Sequence, residues 1–154
     1  MTADALTADI RQTLSQARIV PQTLPDCGGL QLYLLAADFP QDALSPTEMH
    51  AALHEPAYWI FCWASGLALA RKILREPDLV RGRKVLDFGA GSGVVACAAA
   101  LAGAREVVAC DIDRASLLAN LAPAAPGLGD VDRADTLYRQ AQAGYEALHP
   151  GGSP

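Results

Sequence analysis

An α/β fold is predicted for this chain from three observations. Two β-rich runs, KVLDF at 84–88 and EVVACD at 106–111, have the branched and apolar content of buried parallel strands. The first runs directly into a turn with glycines at 89, 91 and 93. Between turn and second run lies VVACAAALA at 94–102, alanine-rich and stopped by Gly103, which reads as a helix. Strand, glycine turn, helix and strand in that order form a βαβ unit of Rossmann-like type.

The remaining elements are placed from the N-terminus onward. Residues 5–18 carry a helical pattern, and IVPQTLP at 19–25 breaks it with two prolines. LQLYLLAA at 30–37 reads as a strand, one arm of an N-terminal cap. PTEMHAALH at 46–54 is a short helix with proline in its first turn and Ser45 as N-cap. A helix over 65–75 opens with Ser65 and Gly66 and leaves Trp63 in the preceding loop. Trp59, Trp63, Leu67, Ala70 and Leu74 also fall at helical spacing, which would make Trp63 a core residue instead. The core continues as strand 84–88, helix 92–102, strand 106–111 and helix 114–121, with Asp113 as a candidate N-cap. LAPAAPGLG at 121–129 has two prolines and two glycines, and no third strand can be placed there. Helical periodicity returns over 134–152, with Leu137, Ala141, Tyr145 and Leu148 on one stripe. The expected organisation is a cap segment over 1–54 and a Rossmann-like core over 55–154. The 71 residues from Lys84 onward hold two parallel strands, so the core is expected to be incomplete.

Length and composition narrow the function classes. The 154 residues make one domain. Twelve basic and 17 acidic side chains give a net charge of −5 with no basic stripe, which argues against a nucleic-acid partner. No apolar run is long enough to span a bilayer, and the acidic, arginine-poor start is unlike a signal or transit peptide, so a cytoplasmic protein is expected. Cys27, Cys62, Cys97 and Cys110 lack metal-ligand spacing. His50 and His54 are one helical turn apart with no third ligand apparent, and read as a plain surface face. No metal site is expected.

Chemistry concentrates at the glycine turn. Glycines there let a ligand approach the main chain without a Cβ in the way, and the helix start is expected to expose unpaired N–H groups. Two ligand classes use such a turn, dinucleotides and S-adenosylmethionine. GSGVVA, from Gly91 to Ala96, even satisfies the dinucleotide pattern. Asp87 discriminates between them. A carboxylate two residues before the first glycine opposes a pyrophosphate but suits a ligand that carries an ammonium and a sulfonium. Asp111, 18 residues after Gly93, ends the second strand and can accept from both ribose hydroxyls in either case. Ile112 would then lie beside the adenine.

With VLDFGAGSG as first motif and VVACD as second, the chain resembles the class I, seven-strand S-adenosylmethionine-dependent methyltransferases. Residues 55–113 are similar, more narrowly, to the lysine methyltransferases related to the one acting on the electron transfer flavoprotein β-subunit, a group often described as similar to nicotinamide N-methyltransferase. That resemblance implies S-adenosyl-L-methionine as cofactor, with contacts from Trp63, Gly89, Gly91, Asp111 and Ile112; the reading of the turn itself adds Asp87, Ala90 and Gly93. It also implies N-methylation of a protein lysine, and hence a protein substrate. The sequence names no catalytic base. Two other functions compete: a shortened, inactive relative acting as an interaction module, and an NAD-dependent oxidoreductase, which Asp87 disfavours.

Overall fold

The computed structural model describes residues 3–40, 42, 44–54 and 56–111. Among these, helix α1 (Ala3–Ile10) precedes strands β1 (Ile19–Thr23) and β2 (Gln31–Leu35). Helix α2 (Pro46–His54) and a 3-10 turn (Tyr58–Ile60) lead to α3 (Ala64–Arg75) and a second 3-10 turn (Pro77–Leu79). The unit β3 (Lys84–Phe88), α4 (Val94–Leu101), β4 (Glu106–Cys110) follows. The predicted helices over 114–121 and 134–152 lie outside the described residues.

The leading segment departs from expectation. Helix α1 ends at Ile10 rather than near 18, and successive turns carry the chain to Ala17. IVPQT, read in the sequence only as a helix break, is a strand: β1 pairs antiparallel with β2, Ile19 opposite Leu35 and Thr23 opposite Gln31. Pro21 is tolerated because this hairpin stands alone and β1 is an edge strand, where a missing N–H leaves a central ladder intact. The β-branched Ile19, Val20 and Thr23 favour extended backbone and outweigh the proline. The hairpin turn places Asp26, Gly28 and Gly29 at positive φ, and Arg71 of α3 holds it with Nε to the Pro25 carbonyl at 3.0 Å and a guanidinium contact to Asp26 at 3.4 Å.

Strand alternation makes β2 the wall between two apolar clusters. Leu32 and Leu34 join Ala70 and Ile73 of α3 and Val94, Cys97 and Ala98 of α4. Leu35 and Tyr33 join Leu6 and Ile10 of α1, with Leu14, Trp59 and Ile60. Side chains of successive strand residues point to opposite faces, so four residues in a row serve both clusters. Helix α2 begins as predicted, at Pro46 after Ser45. Ser45 N–H and Oγ donate to Glu48 Oε2 at 2.8 and 2.7 Å, and Glu48 N–H donates back to Ser45 Oγ at 3.2 Å, a capping box. The other oxygen of Glu48 accepts from Ser15 N–H and Oγ at 2.9 and 2.7 Å, so one carboxylate caps α2 and ties it to the chain after α1.

Strands β3 and β4 pair in parallel, Lys84 opposite Glu106 and Phe88 opposite Cys110. Val85 and Val107 turn toward α4 and the core. The other face carries Leu86 at 64% exposure and Phe88 at 86%, with the Lys84–Glu106 ion pair at 2.7 Å at its start. This βαβ unit matches the predicted α/β core, with two parallel strands among the described residues.

Candidate functional site

The site is built on the C-terminal end of β3. Gly89, Gly91 and Gly93 have φ of 73°, 51° and 73°, a left-handed region that costs other L-residues about 1–2 kcal/mol each. At Gly89 and Gly91 an added Cβ would meet no atom within 4 Å, so the space over these two residues is open. The chain therefore leaves β3, winds through three left-handed glycines and enters α4 with bare backbone facing outward.

Two carboxylates fasten this turn. Asp87 Oδ2, from within β3, accepts the Ala96 N–H at 3.0 Å. Ala96 is the third residue of α4, whose N-cap, Gly93, has no side chain to offer, so an acid from the neighbouring strand does the capping. Asp111 Oδ2, just past β4, accepts the Gly91 N–H at 2.7 Å. Register explains why Asp111 reaches the turn: Gly89 and Ala90 N–H both donate to the Cys110 carbonyl, at 2.8 and 3.1 Å, which holds the end of β4 against the start of the turn.

The amides of the turn itself, Gly89, Ala90, Gly91 and Gly93, are all engaged within the chain, the last with the Ala90 carbonyl at 2.7 Å. Asp87 occupies a further donor, at the helix start. A helix N-terminus ordinarily attracts anions. Here two carboxylates already meet that need, and a phosphate would face their negative charge. Burial pushes the Asp87 carboxyl above its usual range; the Ala96 N–H pulls it back, and the charge of Asp111 pushes it further up. A cation placed beside Asp87 would relieve that repulsion, and a pyrophosphate would add to it.

The two cysteines beside the turn, Cys97 and Cys110, are kept as thiols. Burial, with the charge of Asp87, pushes the Cys97 thiol up to about 12. Burial raises Cys110 as well, against the Gly89 N–H; its Sγ lies 3.7 Å from the Asp87 carbonyl. Thiols kept protonated in this way are poor nucleophiles.

Trp63 is the residue immediately before α3, as WASG predicted, and not part of a helical stripe. Its ring is 51% exposed, and its Nε1–H donates to the Tyr58 carbonyl at 3.2 Å. The rings of Tyr58 and Phe61 stand 6.0 and 5.7 Å away. Together the three border an apolar groove of about 370 Å³, whose far wall is Ile10, Leu14, Leu35 and Phe39. Trp59, by contrast, is buried beside α1. The structure thus brings Asp87, Gly89, Ala90, Gly91, Gly93 and Asp111 together in one turn and sets Trp63 at the start of the helix that packs on α4. Ile112 lies outside the described residues. Sequence reasoning missed the aromatic partners of Trp63; the density of aromatics in YWIFCW at 58–63 was the available signal. The His50 and His54 rings stack at 4.1 Å, and among the described residues no group of three or more potential metal ligands occurs.

Residues 70–125 match the family described as ribosomal protein L11 methyltransferase. The human electron transfer flavoprotein beta subunit lysine methyltransferase is 48% identical over 60 residues, 39% of this chain and 23% of its own length. The Danio rerio protein of the same name is 49% identical over 74 residues, 43% of this chain and 29% of its own. The protein N-terminal and lysine N-methyltransferase of Schizosaccharomyces pombe is 43% identical over 61 residues, 40% of this chain and 24% of its own. The matched segment spans about a quarter of the length of these curated relatives.

Proposed function

From the kinship of this chain with the class I S-adenosylmethionine-dependent methyltransferases of the lysine-modifying group, we propose that it binds S-adenosylmethionine at the glycine turn and supports methylation of a protein lysine. The observation that carries this reading is the pair of carboxylates flanking a glycine turn with open space above it. Asp111 is the acceptor for the ribose hydroxyls, and Asp87 the countercharge for the cationic amino-acid end. Gly89 and Gly91 supply the open backbone, Ala90 and Gly93 complete the turn, and Trp63, with Ile112, supplies the apolar walls. The bound cofactor supplies an activated methyl group.

What is asked of the protein is alignment and exclusion of water, since little proton chemistry is needed at the donor. A lysine acceptor must shed its proton before it can attack, and its ordinary pKa is about 10.4. An apolar surface favours the neutral amine, and the groove beside Trp63 is such a surface. Relatives named as lysine methyltransferases support lysine as the acceptor.

A second reading, a binding module without transfer activity, is favoured by the bare sheet face of Leu86 and Phe88, which is suited to a protein partner. Incubation with methyl-labelled S-adenosylmethionine and a lysine-containing protein, followed by mass spectrometry, separates the two. Label on lysine that is lost with Asp111→Ala supports transfer; cofactor binding without label supports the module; no binding refutes the proposed site.

A further inference from the structure

Gly66 lies in the first turn of α3, three residues beyond Trp63. A Cβ built on it would stand 2.9 Å from Cγ1 of Val94, about half an ångström short of the 3.4 Å at which ordinary contact begins. Val94 is the first residue of α4 and follows Gly93 directly. It is 3% exposed and β-branched, so in a helix it has essentially one rotamer and cannot swing aside. The first turns of α3 and α4 therefore touch at a point only a glycine permits. Farther along, Ala70 and Ile73 of α3 continue the same contact against Cys97 and Ala98, all buried in one cluster. Trp63 is fixed to this arrangement at its own end: its carbonyl accepts the Leu67 N–H at 3.0 Å, and its Nε1–H is held by the Tyr58 carbonyl at 3.2 Å.

We infer that Gly66 is a positioning residue, whose close approach to Val94 sets how near the start of α3, which Trp63 precedes, lies to the start of α4, which the glycine turn precedes, and so the width of the nucleoside site proposed to use both. The inference rests on the proposed cofactor site. Three features make it specific. The contact joins the two residues that adjoin the two halves of the site, Gly93 by one bond and Trp63 by one helical turn. The rings of Tyr58 and Phe61 stand 6.0 and 5.7 Å from that of Trp63, so its placement is shared by an aromatic group. Glycine in the first turn of a helix also gives up helical propensity, which alanine would restore, so its presence has a packing reason.

The test is a double-mutant cycle in the full chain, read by calorimetric titration with S-adenosylhomocysteine. Gly66→Ala should weaken binding by about tenfold, since misplacing a binding wall by a fraction of an ångström is costly. In a Trp63→Ala background the same substitution should change affinity by less than about twofold, because it acts through Trp63. Val94→Ala, which removes the opposing Cγ1, should restore most of the affinity of Gly66→Ala. Equal losses with and without Trp63 would overturn the inference and assign the effect to the turn itself. Unchanged affinity in Gly66→Ala, or a raised melting temperature with no loss of binding, would overturn it as well. Absence of binding by the unaltered chain would instead refute the proposed cofactor site, and this inference with it. Should Gly66→Ala fail to fold, Val94→Ala reads the same contact from its other side: it should alter affinity in the otherwise unaltered chain but by less than about twofold in the Trp63→Ala background, and equal changes in both would overturn the inference.

Discussion

Replacing Asp87 by asparagine should leave the fold as stable as before, or more so, while weakening S-adenosylmethionine. Asp87 serves two purposes. Its Oδ2 accepts the Ala96 N–H at 3.0 Å, and its charge faces that of Asp111 across the glycine turn. Asparagine keeps an acceptor for Ala96, and a neutral hydrogen bond contributes about 0.5–1.5 kcal/mol against about 1.5–3 kcal/mol for a charged one. The charged bond loses that advantage to burial and to Asp111, since together these raise the Asp87 pKa despite the Ala96 N–H. A carboxyl whose pKa is raised on folding binds protons more tightly in the folded state. Its contribution to stability therefore falls as pH rises from the unfolded value, near 3.8, through the folded one, and the charge is a net cost above both. The amide removes this cost, so the change in stability should lie between no effect and a gain of about 1 kcal/mol. Alanine instead orphans the Ala96 N–H and should cost about 1–2 kcal/mol. Loss of a charge-assisted ligand contact of about 1.5–3 kcal/mol corresponds to roughly ten- to a hundredfold weaker binding for either variant. Urea unfolding across pH 3 to 8 and calorimetric titration measure the two effects separately. An asparagine variant destabilised by more than about 2 kcal/mol, or one that binds unchanged, would refute the reasoning.

Other outcomes follow from the same geometry. Asp111→Asn should weaken S-adenosylhomocysteine by about tenfold, the share of one charge-assisted contact, yet keep an acceptor for Gly91; unaltered affinity by calorimetry would remove the ribose assignment. Gly91→Ala has room for its Cβ, so its stability cost should be the backbone term alone, about 1–2 kcal/mol in chemical unfolding, with cofactor binding lost as the methyl fills the open space. Four hydrogen bonds from Ser15 and Ser45 lower the Glu48 carboxyl from 4.5 to about 2. Its contribution to stability should be complete above pH 4.5 and vanish as pH falls through about 2; carboxyl NMR showing an ordinary midpoint would contradict the double cap.

The parts of the fold legible in the sequence are those fixed by local pattern. KVLDF could be assigned to 84–88 because it is a short apolar run ended by glycine, and β3 occupies those residues. Ser45 and Pro46 announced the start of α2 because an N-cap and a first-turn proline are signals of adjacent residues. A sharp turn was expected at glycines 89, 91 and 93 because three glycines stand between a strand and a helix, and all three take positive φ there. Tertiary partnership was not legible. The β-branched residues of IVPQT favour a strand and its proline argues against one; pairing with β2 and burial of Ile19 beside Leu35 decide it. The sequence placed Asp87 beside a ligand, but only the fold reveals that it also caps α4 through Ala96, nine residues away. The contact of Gly66 with Val94 is likewise invisible along the chain, since it depends on how closely two helices approach.

The central claim, that Asp87, the glycine turn and Asp111 form a site for S-adenosylmethionine and not for a dinucleotide, is tested most directly by unfolding the purified chain with S-adenosylhomocysteine and, separately, with oxidised NAD. Ligand at about 100 times its dissociation constant should stabilise the folded state by about 2.7 kcal/mol with S-adenosylhomocysteine, and NAD should leave the transition where it was. A shift with NAD alone, or with neither ligand, would contradict the account.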